Sequence, residues 1–265
     1  MRMATAFVLF LVASAQCHST ESPMHELSIE TRDGLVSMRC YQDAGDDPRP
    51  VVVMLYGASG LDRYEPLYKA YADDLVNHGF RVCAVLYYSP EDEQIMTSST
   101  PAVRQRRHDQ RFVAWTDRII TAVDYLVALP TTNVGRVGLL GFSQGGYLAI
   151  AVAAGSTKVQ AAVEVYGGVP TRLRMTISRL PPVLILHGEA DMNEPVQRAH
   201  DVAALAQSVG APFVLKTYPG ATHGFDGEPL NSANAVDARR RTVDFLSIFL
   251  GLVPSDSQPA EGIHP

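Results

Sequence analysis

The stretch Val137-Gly138-Leu139-Leu140-Gly141-Phe142-Ser143-Gln144-Gly145-Gly146 decides how this chain is read. An apolar run stops at a serine flanked by glycines two positions before and two after, and the apolar segment from Gly145 to Ala154 continues as a helix. A strand that turns sharply into a helix at a serine lifts the hydroxyl above the carboxyl end of a sheet. The turn strains the serine's backbone, and the small flanking residues let neighbouring chain pass close by. Open α/β sheets bind ligands along that edge. The bare five-residue pattern also fits a serine capping a helix after a glycine turn. The strand–turn–helix setting favours Ser143 as a nucleophile.

Outward from this segment, short β-branched runs alternate with helical patterns, the signature of a parallel sheet with crossover helices. Strands are expected at Val51–Tyr56, Arg81–Tyr87, Arg136–Phe142, Ala161–Tyr166, Val183–His187 and Phe213–Tyr218. Most are continuous apolar runs, as in strands buried on both faces. Leu27–Tyr41, broken at Asp33-Gly34, reads as an antiparallel hairpin at the sheet edge. Helices are expected at Glu65–His78, Arg104–Leu129, Gly145–Ala154, Pro195–Val209 and Val236–Leu250. The second places Phe112, Trp115, Ile119, Val123 and Leu126 on one face and stops at Pro130.

A serine hydroxyl needs a base to take its proton, and a histidine suits neutral pH. His223 lies in Pro219-Gly220-Ala221-Thr222-His223-Gly224-Phe225, after the last strand, where a loop reaches the same rim as Ser143. His187 ends a strand and reads as structural, while His78, His108 and His200 read as solvated. The acid that orients the base is expected at Asp191, in the loop after Val183–His187. Glu189 is the rival acid, and Asp191 could alternatively cap a helix near Glu194. The order Ser143, Asp191, His223 is that of the α/β-hydrolase triad. An oxyanion would be held by the amide of Gln144 and by that of Ala58, in Tyr56-Gly57-Ala58-Ser59-Gly60 after an earlier strand.

With these residues in hand, the chain resembles the dienelactone hydrolase family of α/β-hydrolases from about Leu27 to Leu250. The resemblance rests on Gly141 to Gly146, His187-Gly188-Glu189-Ala190-Asp191 and Ala221-Thr222-His223-Gly224-Phe225. It implies an α/β-hydrolase fold with a mostly parallel eight-stranded sheet, helices on both faces, no large lid and no metal or other cofactor. The implied partner is a small-molecule ester or lactone. Two departures matter. The founding enzymes carry cysteine where this chain has Ser143. They also hold a substrate carboxylate with arginines and have an acid near the oxyanion loop, whereas Gly57 stands in the acidic place here. Leu86-Tyr87-Tyr88-Ser89 and Phe225-Asp226-Gly227 contain no arginine where the family has one. A neutral ester is therefore expected in place of dienelactone. The alternatives are a small serine peptidase or amidase, and a catalytically silent binding protein on the same fold.

A formal charge of -6 over 265 residues argues against a nucleic-acid partner. Arg2, the apolar run Ala4–Val12 and Ala13-Ser14-Ala15 read as a signal peptide over 1–15, followed by an extension over 16–26, the domain over 27–252 and a flexible tail over 253–265. Export without stable membrane insertion follows. Lipidation of Cys17 is a weaker rival. Of the three cysteines, Cys17 with Cys40 is the pairing considered, and Cys83 is expected as a buried thiol. No two cysteines have zinc spacing. The run Glu91-Asp92-Glu93 lacks the pattern of a calcium loop and reads as solvated. Arg104, Arg106, Arg107, His108 and Arg111 form a basic cluster, read as a solvated face or, more sharply, as an anion site. Tyr88, Trp115 and Tyr166 are candidates for lining the substrate pocket.

Overall fold

The computed structural model describes residues 24–31, 34–41, 47–227 and 229–252. The expected signal peptide, Cys17 and the tail over 253–265 lie outside these residues. Among these residues eight strands form one sheet: β1 (Met24–Thr31), β2 (Gly34–Tyr41), β3 (Arg49–Leu55), β4 (Arg81–Leu86), β5 (Thr132–Phe142), β6 (Val159–Val165), β7 (Val183–Gly188) and β8 (Phe213–Tyr218). Their order is β1-β2-β4-β3-β5-β6-β7-β8. β1 and β2 are antiparallel additions at one edge, and the strands from β4 to β8 run parallel. The chain moves outward from β3 to β4 and then returns to the other side of β3 as β5. This reversal opens a crevice at the carboxyl ends of β3 and β5, where open sheets take their ligands.

The helices are α1 (Glu65–Asn77), α2 (Pro90–Ser98), α3 (Pro101–Ala128), α4 (Gln144–Gly155), α5 (Gln197–Ser208) and α6 (Ala233–Phe249). α1 packs against α6 and α3 against α4, in layers on either face of the sheet. Val51 to Leu55 in β3 and Val183 to Leu186 in β7 are inaccessible or nearly so. Burying each such side chain contributes roughly 1.5–3 kcal/mol. That covering from both sides is why these strands read as unbroken apolar runs. No helix among the described residues is long and apolar enough to cross a membrane.

Three expectations are corrected. α2 is absent from the expected helices, because Glu91-Asp92-Glu93 reads as surface. Asp92 is in fact buried, and it closes a capping box with Ser89 at the start of α2. Its carboxylate accepts hydrogen bonds from Trp115 Nε1 at 2.8 Å and Arg107 Nε at 2.6 Å. Burial opposes its charge, but the bonds from Trp115, Ser89 and Arg107 hold the carboxyl below its usual range. α3 begins at Pro101, three residues before the expected start, because Pro fits the first helical turn. Finally, Cys83 is no free thiol. Cys40 and Cys83 face each other across the antiparallel β2–β4 pair and form a disulfide. The register of β2 against β4 creates this pairing, and nothing local to either cysteine announces it.

Candidate active site

Ser143 sits between β5 and α4 with φ +52° and ψ −118°. A non-glycine residue held there costs about 1–3 kcal/mol and needs its surroundings to enforce it. The surroundings do so through the backbone. The Ser143 amide donates to the Val165 carbonyl at 2.8 Å, and its carbonyl accepts from the amides of Gly146 and Tyr147 at 2.8 and 3.3 Å. A Cβ on Gly141 would collide with the backbone of Gly145, and one on Gly145 with the backbone of Leu55 and Tyr56. The two flanking glycines are therefore the clearance that lets β5, the turn and the end of β3 pack together.

Asp191 and His223 reach the same rim from the loops after β7 and β8. These loops are stitched together: the Ala190 amide donates to the Ala221 carbonyl at 2.9 Å and the Glu189 amide to the Tyr218 carbonyl at 3.0 Å. Asp191 is buried and uses its two oxygens differently. Oδ1 accepts from the amides of Asn193 and Glu194, each at 2.8 Å, and Oδ2 accepts from His223 Nδ1 at 2.7 Å. The capping and orienting readings thus coexist on one side chain. His223 Nε2 lies 3.0 Å from Ser143 Oγ. With Nδ1–H donated to a carboxylate, Nε2 presents its lone pair to the hydroxyl. Glu189 turns away and accepts from the Thr217 hydroxyl at 2.7 Å. His187 is buried, and its Nε2 donates to the Glu194 carbonyl at 2.7 Å. Burial pushes its pKa down, so it stays neutral and ties the Asp191 loop to β7.

The Ala58 loop lies directly beside this turn. A Cβ on Gly57 would stand 3.5 Å from that of Ser143. Side chains pin the loop at each residue. The Gly57 amide donates to the Tyr68 hydroxyl at 3.0 Å, Tyr87 donates to the Tyr56 carbonyl at 2.7 Å, and Tyr88 donates to the Ala58 carbonyl at 3.2 Å. Gln144 Nε2 donates to the Tyr88 hydroxyl at 2.7 Å, linking the loop to α4. Among the described residues, neither the Gln144 nor the Ala58 amide has an acceptor.

A cavity of about 580 Å³ opens over Ser143 and Gln144. Met96 of α2 and Arg104, His108 and Phe112 of α3 line one side, and Pro170, Arg172, Glu194 and Arg198 the other. Tyr88, Trp115 and Tyr166, expected in this lining, are absent from it. Each is buried and occupied elsewhere. Tyr88 holds the Ala58 loop, Trp115 holds Asp92, and Tyr166 packs its ring 4.9 Å from that of His223. Within the basic cluster, Arg107 and Arg111 turn inward to Asp92, while Arg104 faces the cavity. His108, expected as solvated, is half-buried in the wall, and desolvation lowers its pKa against the opposing pull of Asp109. The spacing Arg104, His108, Phe112 repeats every four residues and could have revealed this face. Arg172, Arg198 and Tyr147 carry no comparable local signal. No group of three His, Cys, Asp or Glu among the described residues is placed to hold a metal ion.

Comparison with known proteins adds three findings. The model of the Dienelactone hydrolase family matches residues 38–250. Acyl-coenzyme A thioesterase 1 of Mus musculus is 29% identical over 170 residues, covering 63% of this chain and 36% of that protein. The chain thus spans about a third of the length of the curated relatives it matches. The solved structures it resembles include a dienelactone hydrolase from Anabaena variabilis (TM-score 0.66, 20% identity, covering 86% of this chain and 99% of that one). An esterase from Pyrobaculum calidifontis is similar too (TM-score 0.64, 18% identity, covering 85% and 84%).

Proposed function

The chain belongs to the dienelactone hydrolase family, and on that premise we propose that it is a serine hydrolase cleaving a carboxylic ester or lactone through an acyl-enzyme. One observation carries the reading: Ser143 Oγ, His223 and Asp191 form a continuous line of 3.0 and 2.7 Å contacts. His223 takes the proton of Ser143 as Oγ attacks the ester carbonyl. Asp191 fixes the tautomer and stabilises the imidazolium. The amides of Gln144 and Ala58 receive the oxyanion. His223 then protonates the leaving alkoxide, and water, activated by the same imidazole, releases the acid and restores Ser143.

The cavity lining refines the substrate. Arg104, Arg172 and Arg198 face it against Asp109 and Glu194, so an ester carrying a negative group fits better than the neutral ester expected above. Thioesters follow the same steps. Since relatives include proteins named acyl-coenzyme A thioesterases, thioesters are the second class to test. Export is part of the proposal, and the Cys40–Cys83 disulfide supports it, because such bonds persist in oxidising compartments. The test is turnover of a panel of p-nitrophenyl esters by the natural chain and by Ser143→Ala. A fall of about 10³-fold or more in a folded variant is expected. Retained turnover would refute the assignment.

A further inference from the structure

Several buried acids take no part in the steps above, and one of them lies under the Ser143 turn. Glu164, in β6, is fully inaccessible, although a carboxylate there would face a large desolvation cost. Its Oε1 accepts a hydrogen bond from the Gly167 amide, and its Oε2 has no hydrogen-bond partner among the described residues. The place is specific. A Cβ on Gly146 would stand 3.1 Å from Oε1, and one on Gly167 would stand 2.8 Å from Oε1 and 2.7 Å from the Ser143 carbonyl oxygen. The carboxyl therefore fills a glycine-lined seat directly beneath the Ser143 turn, holding the segment after β6 against the first turn of α4.

From this seat we infer that Glu164 is a positioning residue that supports the Ser143 turn as a neutral carboxylic acid. An acid with one amide donor and an orphaned oxygen has nothing to compensate a charge. Its surroundings agree. In the sheet it is flanked by Gly141 and Ile185, which carry no charge. From α4 it faces the Tyr147 phenol, and from the loop after β7 it feels Glu194, a like charge. Glu194 is itself bound by the Tyr147 hydroxyl at 2.6 Å and lies 3.8 Å from Arg198. Burial first, then Glu194, push the Glu164 pKa up to about 8, against the Gly167 hydrogen bond. Deprotonation would place a negative charge in a dry site under the atoms that develop an oxyanion, opposing the transition state.

Glu164→Gln keeps the shape of the neutral acid and cannot ionise. The inference rests on the ester-hydrolase reading, so kcat on p-nitrophenyl acetate is measured from pH 6 to 10 for both chains, with Ser143→Ala in parallel to test that reading by itself. The expected result is a wild-type kcat that falls several-fold from a pH of about 8 upward. The Gln variant should reach a plateau without the alkaline fall. Identical alkaline limbs, or a Gln variant inactive at every pH, would overturn the inference.

A second readout needs no substrate. The folded pKa lies above the unfolded one, so the native state binds the extra proton between about pH 4.5 and 8. Wild-type stability relative to the Gln variant should therefore fall as pH rises through that window and level off above it. Parallel Tm curves from pH 5 to 9 would overturn the neutral-acid assignment whether or not any ester is cleaved.

Discussion

Around Ser143 the chain has almost no freedom, whereas across the cavity it has a great deal. On the rim, main-chain hydrogen bonds join the loops after β7 and β8 and tie the turn after β5 to the end of β6, Gly141 and Gly145 lie against neighbouring backbone, and Asp191 uses both oxygens. On the wall, α3 and the segment around Arg172 present charged side chains, several of them half-buried or exposed, among a few apolar ones. The rim is set by backbone clearances that a single added methyl would violate. The wall is set by side chains that can change with little cost to the fold. The chemistry is therefore fixed, and the choice of substrate is the adjustable part.

Substitutions on the two sides should separate accordingly. The largest effect is expected at the rim. Asp191→Asn leaves an acceptor for His223 Nδ1 but can stabilise the wrong tautomer, so kcat should fall by about 10⁴-fold with little change in KM. A loss under tenfold would mean that the rim is less tightly specified than its hydrogen bonds imply. The smaller effect is expected on the wall. Arg104→Gln should raise KM about two- to fivefold for an ester bearing a carboxylate, such as a hemisuccinate, and leave kcat and neutral-ester KM unaltered. An equal change for charged and neutral esters would erase the distinction drawn between the two regions.

The same contrast explains what is legible in the sequence. Ser143 stands out because the glycines that its turn requires are adjacent in the chain. Asp191 and His223 follow because loops after parallel strands point to one edge, and β3, β4 and β7 are readable as apolar runs because both faces are covered. α2 escapes a sequence reading because its burial depends on Asp92 meeting Trp115 and Arg107 from farther along the chain. The Cys40–Cys83 bond escapes it because the pairing comes from strand register. Tyr88, Trp115 and Tyr166 do not line the pocket as expected because aromatic content does not reveal direction. Each side chain is recruited by a polar partner or ring that only the folded chain supplies.

Whether Ser143 is activated by His223 can be read without knowing the substrate, by covalent labelling with a fluorophosphonate followed by mass spectrometry of the labelled peptide. One adduct is expected, on Ser143, forming at least about 10²-fold faster in the natural chain than in a folded His223→Ala variant. Labelling at another residue, or at Ser143 with the same rate in both chains, would contradict the triad.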